Sequence, residues 1–453
     1  MKGIKIMKTG FARLCITPPL GTAISGYYEE RNVKGVLDDL YVHVIAFDDG
    51  ERKAAIVSLD LLMISSKKCD EYRKAISEKS GIDMSSLFVS CTHTHTGPLT
   101  EKDFASGKEN DKDYEHFMIT QMCDAVCYAL RDLAESKFSV ALGKAENISF
   151  IRRYRMKNGN VQTNPGVGNP DIDHALGTPN ENVKLLKIER ENADDIYIVN
   201  FGTHSDTVGG EYISADYPGF VRSTIEKALD NVKCVFLTGA QGNVNHVKTN
   251  PTIGDRQGMF DDFDGVPRGY DHAKHMGRVI AGAVLQICGK TTPLSADRLN
   301  IAETVITIPA NSDNDRYEEA LRIVKLHEEG RDSELPYEKM ELTTVVAEAN
   351  RICVLKDGPE SFSFTLTCMS LGDVALAGLP GEPFVEIGLD IEKASPFAET
   401  IVCCLTNGGD SYFPASSAYD EGGYEARTSQ LRKGGDKIIV DGMKKVLTEL
   451  KNK

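Results

Sequence analysis

Three times along this chain a continuous apolar run is followed by a helical pattern, a second apolar run and a polar, glycine-containing stretch. The first unit has apolar segments at 54–59 and 87–90 around a helical pattern at 67–79. It ends in Thr92-His93-Thr94-His95-Thr96-Gly97-Pro98. The second has apolar segments at 196–201 and 234–237 around a helical pattern at 219–230. Gly202-Thr203-His204 follows its first strand, and Gly242-Asn243-Val244-Asn245-His246 lies beyond its second. The third has segments at 374–378 and 400–404 around a helical pattern at 383–393. Leu379-Pro380-Gly381-Glu382 follows its first strand, and a stretch reaching Tyr412 follows its second. Apolar strands joined by helical crossovers predict parallel pairing in a sheet covered on both faces. The expected fold class is therefore α/β, with mixed, largely parallel sheets flanked by helices. In open α/β sheets the carboxyl ends of the strands hold the ligand, so the polar residues after these strands are expected to share one crevice.

The rest of the chain connects these units. Helical patterns are expected at 113–135, 272–288, 314–329, 338–354 and 437–451, and a strand at 138–142. Segments 158–182 and 249–269 read as long loops, which in a compact domain are often lids or binding loops. No shift in composition marks a linker, so residues 1–453 read as one continuous catalytic-type domain.

Charge and composition restrict the partners. With 52 Lys and Arg against 67 Asp and Glu, the net charge of −15 disfavours nucleic acid and anionic bilayers over most of the surface. The longest apolar stretch, 54–64, is broken by Ser58 and Asp60 and falls short of the roughly 18–20 residues that span a membrane. Lysines 2, 5 and 8 are not followed by an apolar segment, so no secretory signal is expected. Eleven cysteines, several in apolar runs such as Ile401-Val402-Cys403-Cys404, predict small buried hydrophobes in a reduced, cytoplasmic compartment. Cys123 and Cys127 have no matching Cys/His pair at zinc-finger spacing. The expected partner is a small-molecule substrate, with homo-oligomerisation left open.

His93-x-His95 is the strongest local signal for chemistry. In an extended segment residues i and i+2 point to one side. Both rings could then reach one ion, or one could bind it while the other acts from behind. Taken singly, His93, His95 and His204 read equally well as ordinary core or surface histidines. Their weight comes from standing after strands together with Glu382, which Pro380-Gly381 and Pro383 frame in a rigid turn. Two histidines and a carboxylate match a catalytic zinc set with an open position, although imidazole and carboxylate also suit manganese, iron or nickel. Thr96-Gly97-Pro98 argues against the HxHxDH pattern of metallo-β-lactamase-like hydrolases. His272 and His275, three apart beside Asp271, read as solvated or capping residues. Arg427 is expected either to line the site or to form a surface ion pair.

These motifs resemble the neutral/alkaline, non-lysosomal ceramidase superfamily over nearly the whole length. Gly10-Phe11-Ala12-Arg13, Ile16-Thr17-Pro18-Pro19, Gly26-Tyr27, Asp38-Asp39-Leu40-Tyr41-Val42 and Ser58-Leu59-Asp60-Leu61 fit its opening segments. Thr92 to Pro98 is close to its THTHSGP, Leu379 to Glu382 matches its PGE turn, and 407–425 keeps its tyrosine frame. The resemblance implies one zinc ion held by His93, His204, Glu382 and Tyr412. It implies His95 as a group behind the metal or a proton carrier, and Tyr424 as a phenol that donates to a developing oxyanion. The family's substrate-contacting arginine falls on Arg152 in preference to Arg153.

Two departures bear on the chemistry. The family serine, proposed as nucleophile, is replaced by Asn245, whose amide is not a usable nucleophile. Either zinc-activated water attacks, or the reaction has changed. Asn245 and His246 then become candidates for orienting substrate, or simply satisfy the turn. The family's C-terminal β-domain, of Ig-like type, is not expected to accompany this catalytic-type domain. A Trp-free, acidic chain is poorly suited to extracting ceramide from a bilayer. The expected function is zinc-dependent hydrolysis of an amide in a soluble small molecule. The alternatives are metal-dependent ester, lactone or C–O cleavage on a sugar-like substrate, or metal binding without turnover.

Overall fold

Residues 42–47 are all buried, with alternate side chains entering different apolar clusters: Val42, Val44 and Ala46 on one side, Ile45 and Phe47 on the other. A strand apolar on both faces must be covered on both, and this decides the layering. The computed structural model describes residues 6–27, 29–102, 108–256, 258–296, 298–312 and 315–453. Lys2, Lys5 and Asn314 of the sequence expectations lie outside that set.

Eight strands of the large sheet are β1 (Lys8–Cys15), β2 (Tyr41–Asp48), β3 (Lys53–Leu59), β4 (Leu87–Cys91), β5 (Ala134–Lys144), β6 (Asn182–Arg190), β7 (Asp195–Phe201) and β8 (Val232–Thr238). They form one sheet in the order β8-β7-β6-β5-β1-β2-β3-β4, and β9 (Thr292–Leu294) adds to β5. A second sheet runs β10 (Leu299–Pro309), β11 (Ser361–Leu371), β12 (Val374–Gly378) and β13 (Glu399–Cys403). Ile56, Phe88, Ile198 and Leu237 of the large sheet share a core with Met369, Leu376 and Ile401 of the small one. The two sheets therefore pack face to face.

Helices cover the outer faces. On the large sheet lie α1 (Ser66–Ser80) and α2 (Lys112–Arg131) at one end, and α3 (Asp216–Ala228) and α4 (Tyr270–Ile287) at the other. A helical hairpin, α5 (Tyr317–Glu328) and α6 (Lys339–Leu355), joins β10 to β11 and has its own small core. Then come α7 (Val385–Ala394), α8 (Ser416–Glu421), α9 (Tyr424–Thr428) and α10 (Gly435–Lys451). Of these, α7 and α10 cover the small sheet, giving four layers. Among the described residues no helix is long and apolar enough to cross a membrane. All eleven cysteines are unpaired and seven are buried.

The three strand–helix–strand units form as the apolar pattern predicts. Strand β3 pairs parallel with β4 around α1, β7 with β8 around α3, and β12 with β13 around α7. The mixed α/β class holds, but the sheets as wholes are not largely parallel. The strands that link the units pair antiparallel, as in β1–β2, β2–β3, β5–β6 and β6–β7. Their half-polar sequences carry no crossover signal. The helix expected at 113–135 stops at Arg131, because Asp132 turns out to accept from Phe11 N and Arg190. Within 158–182, residues 161–163 and 172–175 pair with Arg153–Met156 as a small antiparallel sheet instead of remaining loop.

The carboxyl ends of the units are stitched together. Cys91 N donates to Leu405 O at 3.2 Å, Cys404 N to Thr238 O at 2.9 Å, and Thr238 Oγ1 to Cys91 O at 3.4 Å. One rim therefore carries the polar loops of all three units.

Candidate metal centre

At that rim the loop after β4 turns sharply. His93 has φ of +69°, an uncommon conformation for a residue other than glycine and one that recurs at functional sites. It is held because His93 N donates to Leu61 O at 2.9 Å. The His204 segment is tied to this loop: Ser205 Oγ donates to Thr92 O at 2.8 Å, and His95 N to Ser205 O at 3.1 Å. The ring centroids of His93 and His204 are 4.8 Å apart.

Glu382 comes from the third unit. Glu382–Pro383 pairs parallel with Tyr412–Phe413, which sets Glu382 opposite Tyr412. Asn243 braces this turn: its Oδ1 accepts from Val385 N at 2.9 Å and its Nδ2 donates to Glu386 at 3.0 Å. Gly242 leaves no room for a side chain, since a Cβ there would lie 2.6 Å from Glu382 O.

The side chains then meet. Oε2 of Glu382 is 3.2 Å from Nε2 of His93 and 3.1 Å from Nε2 of His204. His95 Nε2 is 3.4 Å from His93 Nε2, and the Tyr412 hydroxyl is 3.3 Å from His204 Nε2. All but His95 and Tyr412 are nearly sealed from solvent.

The neighbours of the two rings fix their tautomers. His93 Nδ1 donates to Leu62 O at 2.9 Å, and His204 Nδ1 faces Gln241 O and Val244 O, each at 3.0 Å. With those protons on Nδ1, both Nε2 lone pairs point at a carboxylate oxygen that has no hydrogen-bond donor of its own. Acceptors crowded together in a buried place repel unless a proton or a metal cation lies between them. Ligand bonds of about 2.0–2.1 Å in a tetrahedron separate neighbouring ligand atoms by about 3.3 Å, which the observed spacings match. The residues fit a metal ion. His93, His95 and His204 also have ligand atoms within 4.8 Å of one another, so His95 stands close enough to be a ligand as well as a proton carrier.

Electrostatics follow the same geometry. Burial opposes ionisation of Glu382, yet the two imidazoles hold its carboxyl well below the usual range. Burial lowers His93, but the Glu382 carboxylate outweighs it and raises the ring above its ordinary value. Burial and then Arg152 lower His204, while burial and then His93 push His95 well down. Burial and then Glu382 raise the Tyr412 hydroxyl, against the pull of Arg152.

Around this centre the structure places the other expected residues. Arg152 sends one guanidinium nitrogen to the Tyr412 hydroxyl at 3.2 Å and to Gly242 O at 2.9 Å, and its Nε to Glu425 at 2.6 Å. Arg153 reaches Glu421 and Gly422 O instead, with its Nε 3.9 Å from Glu425. Tyr424 packs edge-on against Tyr412, with centroids 5.8 Å apart. Asn245 is fully buried: its Oδ1 accepts from Val247 N and its Nδ2 donates to Asn164, each at 3.0 Å. His246 lies between Asp206 at 3.1 Å and Pro267 O at 2.7 Å. These two thus serve the turn and a buried hydrogen-bonded pair in the structure as it stands. Arg427 is drawn to Glu341 and Glu348.

Sequence reasoning passed over Tyr27, Thr163, Asp206 and Glu425. Tyr27 packs on His95 at 5.0 Å and lies between the guanidiniums of Arg31 and Arg268, at 4.3 and 4.4 Å. Thr163 Oγ1 donates to Glu425 and accepts from Tyr424 N, both at 3.0 Å. The position of Asp206 two residues after His204, and of Glu425 next to Tyr424, was the available signal.

No family model matches the chain. Two solved structures share its fold. The neutral ceramidase from Pseudomonas aeruginosa superposes with a TM-score of 0.74 at 16% identity, over 99% of this chain and 75% of that one. A ceramidase complexed with C2 gives 0.73 at 14% identity, with the same coverage of both chains. The fold is neutral-ceramidase-like.

Proposed function

We propose that this chain is a hydrolase that cleaves an amide bond of a soluble small molecule, with one zinc ion held by His93, His204, Glu382 and Tyr412. The observation that carries this reading is the buried Oε2 of Glu382, set between two imidazole lone pairs with no hydrogen-bond donor. When bound, zinc supplies Lewis acidity and a water whose pKa falls to about 7. His95, whose Nε2 is 3.4 Å from Nε2 of His93 and which is less enclosed than His93, serves to take up and return a proton. Tyr424, beside Tyr412, donates to the oxygen on which charge develops. Arg152 holds the Tyr412 hydroxyl and is itself fixed by Glu425. The fold shared with ceramidases supports amide hydrolysis as the reaction class.

The test is a panel of N-acyl compounds, with ester, lactone and glycoside counterparts, assayed on zinc-restored protein. Zinc-dependent release of amine and acid, lost in Glu382→Gln, is expected. Turnover confined to C–O bonds, or a metal-responsive reaction that is not hydrolysis, contradicts the proposal.

A further inference from the structure

Behind the His246–Asp206 pair lies a cavity of about 740 Å³ that the proposed chemistry does not use. One wall is the first half of α4, where Asp271, Lys274, His275 and Arg278 stand on one face at helical spacing. The opposite wall carries Lys248 and Asp255. Asp255 is already satisfied, by Lys248 at 3.0 Å and by Thr252 N and Oγ1 at 2.7 and 2.8 Å. Lys274 and Arg278 have no carboxylate partner among the described residues. Among the described residues Asp271 is the one lining carboxylate without a cation partner, so the described lining is net positive in a chain of net charge −15.

His272 supplies a second, independent observation. It lines the same cavity, is only 9% exposed, and its Nε2 has no hydrogen-bond partner among the described residues. Leaving such a group unpaired is costly, so a ligand polar atom in the cavity is favoured. Burial, with His246 and His275 nearby, lowers this ring to about 3, which leaves it neutral and able to donate from one nitrogen. A cation is not favoured here: among the described residues, the His/Cys/Asp/Glu group spaced for a metal is the one at the rim.

We propose that this cavity binds a small oxyanion of the phosphate class, held by Lys274 and Arg278 with a hydrogen bond from His272. The anion is either the free ion or the end group of a phosphomonoester, for which the volume leaves room. This site does not depend on the hydrolase reading.

Calorimetric titration of the full chain at low ionic strength, with inorganic phosphate and with glycerol phosphate, tests it. Saturable binding is expected for at least one, and the tighter of the two names the source. The exposed-face double variant Lys274→Ala/Arg278→Ala should weaken it roughly tenfold or more, because charge-assisted bonds are the strong ones. His93→Ala should leave it unchanged. No saturation by about 10 mM, the weak end of specific recognition, overturns the proposal. So does binding that survives the double variant, or that disappears with His93→Ala, since the anion would then sit at the rim.

Discussion

Glu382 and Tyr412 are direct cross-strand partners in a two-residue parallel ladder. The ladder joins the two polar stretches of the third strand–helix–strand unit and presents a carboxylate and a phenol side by side to His204. Nε2 of His204 lies 3.1 Å from the one and 3.3 Å from the other. Position on the ladder, in place of a flexible approach, sets these distances.

Tyr412→Phe removes one proposed ligand and leaves the Arg152 guanidinium without the acceptor it has at 3.2 Å. Zinc affinity is expected to fall by roughly 10- to 100-fold, the range seen when groups that tune a metal site are lost. Competition against a chromogenic chelator measures it. Unchanged affinity contradicts a role for this phenol.

Arg152→Met leaves Glu425, which is fully buried, without its 2.6 Å partner. Breaking a buried pair from one side costs about 3–5 kcal/mol, so the urea midpoint should drop sharply. Arg152→Lys should recover part of that loss but not the geometry at Tyr412, because a single ammonium cannot reach Glu425, Gly242 O and Tyr412 as the guanidinium fork does.

Gly26 has φ of +115°, and a Cβ there would lie 2.8 Å from Nδ1 of His95. Gly26→Ala therefore pushes His95 away as well as straining the backbone, a conformation that costs about 1–3 kcal/mol. Loss of activity with zinc still bound is expected if His95 carries protons. Loss of zinc as well places His95 among the ligands. Wild-type activity contradicts both roles.

Buried neutral histidines predict an acid-side loss of stability. Burial and then Arg222 hold His43 well below its ordinary value, and His272 is lowered to about 3. Unfolded histidines titrate near 6.5. At these two positions the unfolded chain therefore binds more protons than the folded one below about pH 6.5, and their contribution to stability falls as pH drops through that value and, for His272, on towards 3. Urea midpoints between pH 8 and 5 should decline, and His43→Gln should flatten the slope. A midpoint that rises on acidification contradicts this.

The three parallel units were legible because fully buried strands leave continuous apolar runs and their crossovers leave helical periodicity. Strands β5 and β6 were harder: alternating burial along Ala134–Lys144 mixes Lys and Ser with Phe138 and Val140, so the antiparallel half of the sheet left a weak pattern. At the rim, His93, His204 and Glu382 announced themselves by following strands. Tyr412 and Tyr424 were legible only through a family resemblance, since a tyrosine in a loop reads as a rim residue. Asn243 and Thr163 act by hydrogen bonds to distant backbone, at Val385 N and Tyr424 N, and no local pattern in a sequence encodes such partners.

Crystals of the zinc-restored protein, measured at the zinc absorption edge, test the central claim most directly. One anomalous peak per chain is predicted, bonded at about 2.0–2.2 Å to Nε2 of His93, Nε2 of His204 and a carboxylate oxygen of Glu382. A peak bonded elsewhere, or no peak at this rim, contradicts the account.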